Sequence, residues 1–486
     1  MRYPRISIAL RIAAGLALIA LVAVAGGGPG TASGSQATTG TITVVASWTG
    51  PERTDFERVL EPFENSTGIK VIYTGTRALD QLLQSDIQQG SPPDLAILPS
   101  PGELLSYQQR GYLHPLDTVL SQKTIAADYG PDWLNIMKLG TDHIYTLPVK
   151  ANVQNLVWYD PKRLPSSNVP GQTQPPSWAF LTNLEHKIID DGDTPWCLGL
   201  DSTPVSGWPG TDWIADILLH QSGISFYQRW ADGTLLWTSP QVQAAWKAWG
   251  SLVARPGQVH GGSMGALLTD WDTAGEPMFA KTPGCYLQHL PSFNTLNYQG
   301  YPGHPKPGTG YNFFPLPMTG LPSAASAASA ASAASAASAA SAASAASAAS
   351  SDAWDVSADL LGMFNDTPAA RRLVAYLASA RAQRIWPGIP GGGASSADRK
   401  VPKSVYPDQH VDAPIAGIVT SPHLTLCFNA ADLMPVTMQN AFYQAVMEYL
   451  QDPGQLQAIL QRLDLIQQAS YPESFVKQQP NFTCGA

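Results

Sequence analysis

Charge is scarce in this sequence. Asp, Glu, Lys and Arg make up 13% of its 486 residues, and the 37 acids outnumber the 28 bases for a formal charge of −9. A net acidic chain with few bases offers no electrostatic footprint to nucleic acid or to an anionic membrane. Cysteine is rarer still. Cys197, Cys285, Cys427 and Cys484 show no Cys-x-x-Cys spacing and no histidines at zinc-ligand spacing, which excludes a zinc ribbon or a dithiol redox motif. There is no P-loop, no dinucleotide fingerprint and no metal-ligand cluster, so no cofactor is expected. Long apolar runs are missing too. Ile12 to Val24 is an unbroken stretch of apolar and small residues, but it falls short of the ~20 residues that cross a bilayer.

That short run has another use. Arg2, Arg5 and Arg11 form a basic region around its start, and Ala23-Val-Ala25 supplies a small-residue cleavage site. This pattern predicts a cleaved export signal over residues 1–25. The arginines are unpaired, which argues against a twin-arginine signal. Without the leader and its three arginines the formal charge is −12. Residues 26–40, rich in Gly, Ser and Thr, read as a flexible tether. Export favours disulfides. Four cysteines allow three pairings, of which we expect Cys197–Cys285 with Cys427–Cys484.

What is present is clearest between Thr41 and Asp117. Thr41 to Ser47 is a short apolar strand, and Phe56, Val59, Leu60 and Phe63 then fall on one helical face. Gly68 stops that helix, and Pro62 inside it predicts a kink. Ile69 to Tyr73 is a second strand. Leu79, Leu82, Leu83 and Ile87 face one way along a second helix ended by Gly90. Leu95 to Leu98 is a third strand, followed by a helix over Glu103 to Arg110. Such alternation predicts an α/β fold with a parallel, doubly wound sheet. Ligands on such sheets bind beyond the carboxyl ends of the strands, here the loops Trp48 to Glu52, Gly75 to Arg77 and Pro99 to Glu103.

The ~446 residues after the tether exceed one core and predict two lobes. Residues 323–350 are a strict Ser-Ala-Ala repeat with no large side chain to bury, read as a tolerated surface expansion. Thr367-Pro368 starts a helix whose buried face is Leu373, Val374 and Leu377. Phe442, Val446 and Leu450 mark a helix near the carboxyl end.

Two patterns bear on catalysis. Gly261-Gly-Ser-Met-Gly265 has a nucleophile-elbow pattern, but Pro256-Gly257 spoils the strand that must precede it. We expect a Gly-rich turn entering a helix instead. Glu52 and Glu103 are a candidate carboxylate pair for glycoside hydrolysis. Binding has more support. Fourteen tryptophans in a chain of low charge offer flat apolar faces, and a pyranose presents C–H groups on one face with hydroxyls round its edge. Most tryptophans are core residues, and Trp158, Trp246 and Trp249 are assigned there. Trp48 after the first strand, Trp208 before Pro209-Gly210 and a helix capped by Thr211, and Trp386 beside the Pro387–Gly393 loop are the candidate platforms. Arg77 is a candidate for bridging hydroxyls, and Asp212 for ligand contact at a helix amino terminus.

Trp48-Thr-Gly-Pro-Glu52, Phe63 to Val71, Pro92-Pro-Asp-Leu95, Gly111 to Asp117, Asn155 to Asp160, Gly207 to Trp213, Met363-Phe-Asn365 and Asp432 to Pro435 together resemble family 1 extracellular solute-binding proteins. These are the sugar receptors of bacterial ABC importers. The resemblance implies a monomeric, two-lobed periplasmic-binding-protein fold with a hinge, each lobe a doubly wound sheet. It implies discontinuous lobes: residues 41–150 with 312–366, and 151–311 with 367–486. The expected crossings lie at Pro148 to Gln154, after Tyr311 to Pro317, and near Phe364 to Pro368. For the site it implies Trp48, Glu52, Pro99, Ser100 and Glu103 from the first lobe, Asn152 from the hinge, and aromatics near Trp208, Tyr286 and Tyr443. The family's cation beside the first-strand acid has no counterpart between Thr49 and Pro51. Members are often anchored through a cysteine at the cleavage site, and this leader has none. The function implied is capture of a sugar or short oligosaccharide for a membrane permease, without catalysis. A secreted carbohydrate-active enzyme, or a receptor for a polyamine, peptide or organic acid, is the alternative.

Overall fold

The computed structural model describes residues 40–164, 168–323, 352–471 and 483–485. The expected leader, nearly all of the tether and the repeat beyond Ser323 lie outside them. Nine strands appear in chain order: β1 (Thr41–Ala46), β2 (Lys70–Gly75), β3 (Leu95–Leu98), β4 (Thr146–Val153), β5 (Leu156–Tyr159), β6 (Leu287–His289), β7 (Asn312–Pro315), β8 (Ala353–Met363) and β9 (Thr425–Phe428).

The opening alternation forms as its periodicity dictates. Helix α1 (Gly50–Thr67) buries Phe56, Val59, Leu60 and Phe63, continues through Pro62, and ends where Gly68 turns left-handed at φ 71°. Helix α2 (Leu79–Gln88) buries Leu79, Leu83 and Ile87. Helix α3 (Pro101–Gln109) starts two residues earlier than the pattern suggests, because the Ser100 side chain caps it. Strands β1, β2 and β3 are parallel.

Beyond β3 the sheet is mixed. The order is β2-β1-β3-β8-β4, with β9 also on β8. Strand β8 runs antiparallel to both β3 and β4 and parallel to β9. The second sheet is smaller than a doubly wound lobe suggests: three short antiparallel strands in the order β6-β5-β7. The chain passes from the large sheet to the small one between β4 and β5, and returns between β7 and β8. Helices cover both sheets, so the two-lobed α/β class holds with fewer parallel strands than the opening segment implies.

All eleven residues of β8 are buried, although the strand carries Asp355, Ser357 and Asp359. Polar side chains in a central strand cost stability unless they find partners. Such a local conflict between sequence and environment points to function.

The disulfides join Cys197 to Cys285 and Cys427 to Cys484, the expected pairing. The second ties β9 to the short carboxyl-terminal segment, where Phe428 N donates to Thr483 O at 2.7 Å and Gly485 N to Leu426 O at 2.9 Å. Thirteen of the fourteen tryptophans are buried, Trp158, Trp246 and Trp249 completely. Trp208 alone keeps a partly exposed ring. No helix among the described residues is long and apolar enough to cross a membrane.

Candidate functional site

The loops after β1, β2 and β3 converge on one cavity of about 210 Å³, as the sheet-end rule requires. From the first loop come Trp48 and Glu52, from the second Arg77, from the third Ser100 and Glu103. Local chemistry fixes these loops. The Tyr73 hydroxyl donates to Trp48 O at 2.9 Å. Gly75 passes so close to that carbonyl that any side chain there would collide with it. Ser100 Oγ accepts from Glu103 N at 3.2 Å and donates to Asp432 O at 3.0 Å, joining the third loop to the opposite wall.

That wall carries Trp208, Asp212, Trp271, Phe293, Asp432 and Tyr443. Trp208 opens the helix Trp208–Ser222, so the helix starts three residues before the Thr211 cap expected from sequence. Gly207 makes the turn at φ 108°, pressed against the Tyr443 backbone where a β-carbon has no room. The Trp208 ring meets Trp271 edge-on at 5.2 Å and Phe293 at 6.0 Å. Arg77 reaches across from the β2 loop. Its guanidinium lies 5.4 Å from the Trp271 ring centre, and Nη2 lies 3.4 Å from Asp272 Oδ2.

The missing cation beside Glu52 comes from β4. Lys150 Nζ donates to Glu52 Oε1 at 2.5 Å, across 98 residues of sequence, and Asp359 Oδ2 of β8 stands 3.9 Å away. The ammonium lies 5.8, 5.3 and 5.3 Å from the rings of Trp48, Phe293 and Trp386. Burial works to lower its pKa, but Glu52 and Asp359 outweigh burial and the net shift is upward. Asp359 is pushed up to about 6 by burial, against the pull of Lys150.

The remaining carboxyls are driven toward the neutral form. Burial, and then Asp80 beside it, holds Glu103 well above the usual carboxylate range, although the Tyr107 hydroxyl donates to it at 2.9 Å. Asp432 is pushed up to about 8 by burial and then Asp359. Asp212 is raised well above its ordinary value by burial, with Asp432 and Asp216 adding to it. Its Oδ2 is buried and finds no hydrogen-bond partner among the described residues; nor do Asn152 Oδ1 and Gln154 Oε1. The cavity therefore combines one aromatic face with buried acceptors in want of donors. No group of three or more His, Cys, Asp or Glu among the described residues is arranged to hold a metal ion.

Ten sequence candidates come together here: Trp48, Glu52, Arg77, Pro99, Ser100, Glu103, Asn152, Trp208, Asp212 and Tyr443. Two stand elsewhere. Tyr286 donates its hydroxyl to Asp193 Oδ2 at 2.7 Å, away from the cavity lining. Trp386 is 2% exposed, its Nε1 donating to Gly392 O at 2.9 Å and its ring edge-on to Trp48 at 4.7 Å. The Pro/Gly loop wraps this indole instead of presenting it. Trp386→Ala is expected to cost about 3–5 kcal/mol of folding stability, as for a buried tryptophan, measured by urea unfolding. A cost below about 1 kcal/mol would make the ring peripheral.

Lys150, Gln154, Asp359, Asp432, Trp271 and Phe293 line the cavity without having been singled out by sequence. A signal existed for the first three. Polar residues recur at alternate positions, Lys150-Ala-Asn-Val-Gln154 and Asp355-Val-Ser-Ala-Asp359, and this period places each set on one face of its strand.

Comparison with known proteins agrees with this architecture. Residues 49–262 match the family described as bacterial extracellular solute-binding protein. The osmoprotective compounds-binding protein GgtB of Synechocystis sp. is 28% identical over 415 residues, 84% of this chain and 88% of that protein. The alpha-glucosides-binding periplasmic protein AglE of Rhizobium meliloti is 28% identical over 424 residues, 84% of this chain and 83% of its own. Among solved structures, the bacterial solute receptor AcbH, described as having an exclusive preference for β-D-galactopyranose, superposes with a TM-score of 0.69. That match has 16% identity and covers 89% of this chain and 100% of AcbH. A chitin oligosaccharide binding protein gives 0.69 at 15% identity, covering 89% of this chain and 99% of that one. Residues 49–262 thus resemble the bacterial extracellular solute-binding proteins, and the two relatives and the shared fold carry the likeness over most of the chain.

Proposed function

We propose that this protein is an exported receptor that captures a sugar or short oligosaccharide and hands it to an ABC importer. The observation that carries the reading is the cavity itself. Trp208, with Trp271 and Phe293 beside it, offers an apolar platform in a cavity whose lining also holds buried acceptors on Asn152, Gln154 and Asp212 that lack donors. A sugar of one or more rings meets both kinds of demand, C–H faces to the aromatic rings and hydroxyls to the acceptors within its reach. The relative named for alpha-glucosides supports the same ligand class. Both relatives also support binding without catalysis, as this family consists of binding proteins.

The mechanism is closure of two lobes, one built on the large sheet and one on the small, about the β4–β5 and β7–β8 segments that lead from one sheet to the other. A ligand that touches both walls binds the closed form better, and that differential affinity sets the shift. The proposal includes export by the leader, action as a monomer, and docking of the closed form on permease subunits.

Thermal unfolding of the leaderless protein against neutral mono- and oligosaccharides, with spermidine and short peptides as controls, tests this. A ligand at ~100 times its Kd adds ~2.7 kcal/mol to stability, so a selective rise in Tm with a neutral sugar recovered intact is expected. A rise with the charged controls alone, or consumption of the sugar, would overturn it.

A further inference from the structure

We infer that β4 and β8 form a polar ladder that reads a two-ring glycoside lying along β4, with Gln154 serving the second ring. The inference rests on the sugar-receptor reading and adds ligand length and direction to it.

The ladder follows from register. Lys150, Asn152 and Gln154 share one face of β4 and its continuation. Asp359 is the partner of Lys150 on β8, and Ser357 the partner of Asn152. Gln154 extends the pairing, its backbone N donating to Asp355 O at 2.8 Å. All five of these side chains line the cavity, and none is more than 8% exposed. The opposite parity is apolar: Ala151, Val153 and Leu360 are buried and do not line the cavity. One face of the two central strands is therefore core and the other is a row of polar groups.

That row is under-bonded, with spare donors at the Lys150 end and spare acceptors at the Gln154 end. Lys150 Nζ spends one hydrogen on Glu52, while Asp359 at 3.9 Å is beyond hydrogen-bond reach. Asn152 Oδ1 and Gln154 Oε1 are buried acceptors without donors. Buried acceptors of this kind call for a ligand that brings donors, and hydroxyls spaced along one edge of a glycoside supply them.

Length then decides between one ring and two. Four residues of strand from Lys150 to Gln154 span about 13 Å at ~3.3 Å per residue, longer than one pyranose and suited to two joined ones. The ends differ in kind. At the Lys150 end the ammonium, Glu52 and Asp359 lie beside the Phe293 ring. At the Gln154 end the neighbouring Asp355 is within electrostatic reach of Asp212 and Asp432, both of which line the cavity. A single ring held against the aromatic face near Lys150 leaves Gln154 unused, and a second ring reaches it.

Titration calorimetry with glucose and galactose as one-ring probes, and maltose, trehalose and lactose as two-ring probes, separates these cases. The best two-ring probe is expected to bind at least tenfold tighter than the best one-ring probe. Gln154→Met should remove about tenfold from the two-ring probe and leave the one-ring probe within twofold. Gln154→Glu, which keeps an acceptor, should retain two-ring binding, and unchanged Tm values for the free variants show that both fold. Equal losses for one- and two-ring probes, or no loss with either, overturn the ladder alone. Maltotriose gaining a further tenfold over maltose would also overturn it. Absence of any neutral-sugar binding to the unaltered protein would overturn the receptor reading with it.

Discussion

Lys150→Met is expected to cost about 3–5 kcal/mol of folding stability near pH 7.5, the penalty for breaking a buried ion pair from one side. The side chain of Lys150 is 3% exposed, and it is the cation between Glu52 and Asp359. Methionine fills similar volume, so the loss is electrostatic rather than a cavity. Two carboxylates are left facing each other beside aromatic rings. The pH dependence separates this cause from packing. In the native protein burial raises Asp359 to about 6 while Lys150 pulls it down. Without Lys150, burial and Glu52 push it higher. A carboxyl whose folded pKa lies above its unfolded value destabilises the fold at pH values above that folded pKa. The cost fades as pH falls toward the unfolded value, near ~3.9. The deficit of Lys150→Met should therefore shrink markedly between pH 7.5 and pH 5 in urea unfolding. A deficit under about 1 kcal/mol, or one that does not change with pH, would remove Lys150 from its assigned role.

The position of Lys150 also shows where sequence reading stops. The strands and helices from Thr41 to Gln109 are set by local periodicity and by stops such as Gly68, so they are visible in the residues themselves. The loops beyond β1, β2 and β3 follow from the direction of parallel strands, and their side chains do reach one cavity. Pairing between distant strands is not local. Strand β8 lies over 250 residues after β3, yet inserts antiparallel between β3 and β4, and no pattern near Leu95 announces it. Glu52 looked unpartnered for the same reason, since its cation is 98 residues away. Trp386 failed on context rather than distance. Adjacent Pro and Gly suggested an exposed loop, but the loop folds back so that Gly392 O receives the indole N–H. Polar residues at alternate positions in two otherwise apolar strands were readable as an anomaly; knowing that they face the same cavity needs the register of β4 on β8.

Trp208→Ala should weaken sugar binding at least about 30-fold, a loss of about 2 kcal/mol, as expected for an aromatic hot spot. Trp208 is the one tryptophan in the chain with a partly exposed ring, and it lines the cavity. Its other edges rest on Trp271 and Phe293, with ring centres at 5.2 and 6.0 Å. These neighbours fix its orientation, so little side-chain freedom is lost when a sugar stacks on it. The ring starts a helix at a turn that only Gly207 fits, against the Tyr443 backbone. Truncating it removes the platform without removing the turn. Folding stability should fall by less than the about 3–5 kcal/mol of a fully buried tryptophan, because part of the ring is already in water. Trp208→Tyr keeps an aromatic face and should recover part of the affinity. Calorimetry and urea unfolding on the same variants decide the matter. A Kd within threefold of the unaltered protein places the platform elsewhere. A stability loss of the full core size, with tyrosine rescuing folding and binding together, makes Trp208 a packing residue.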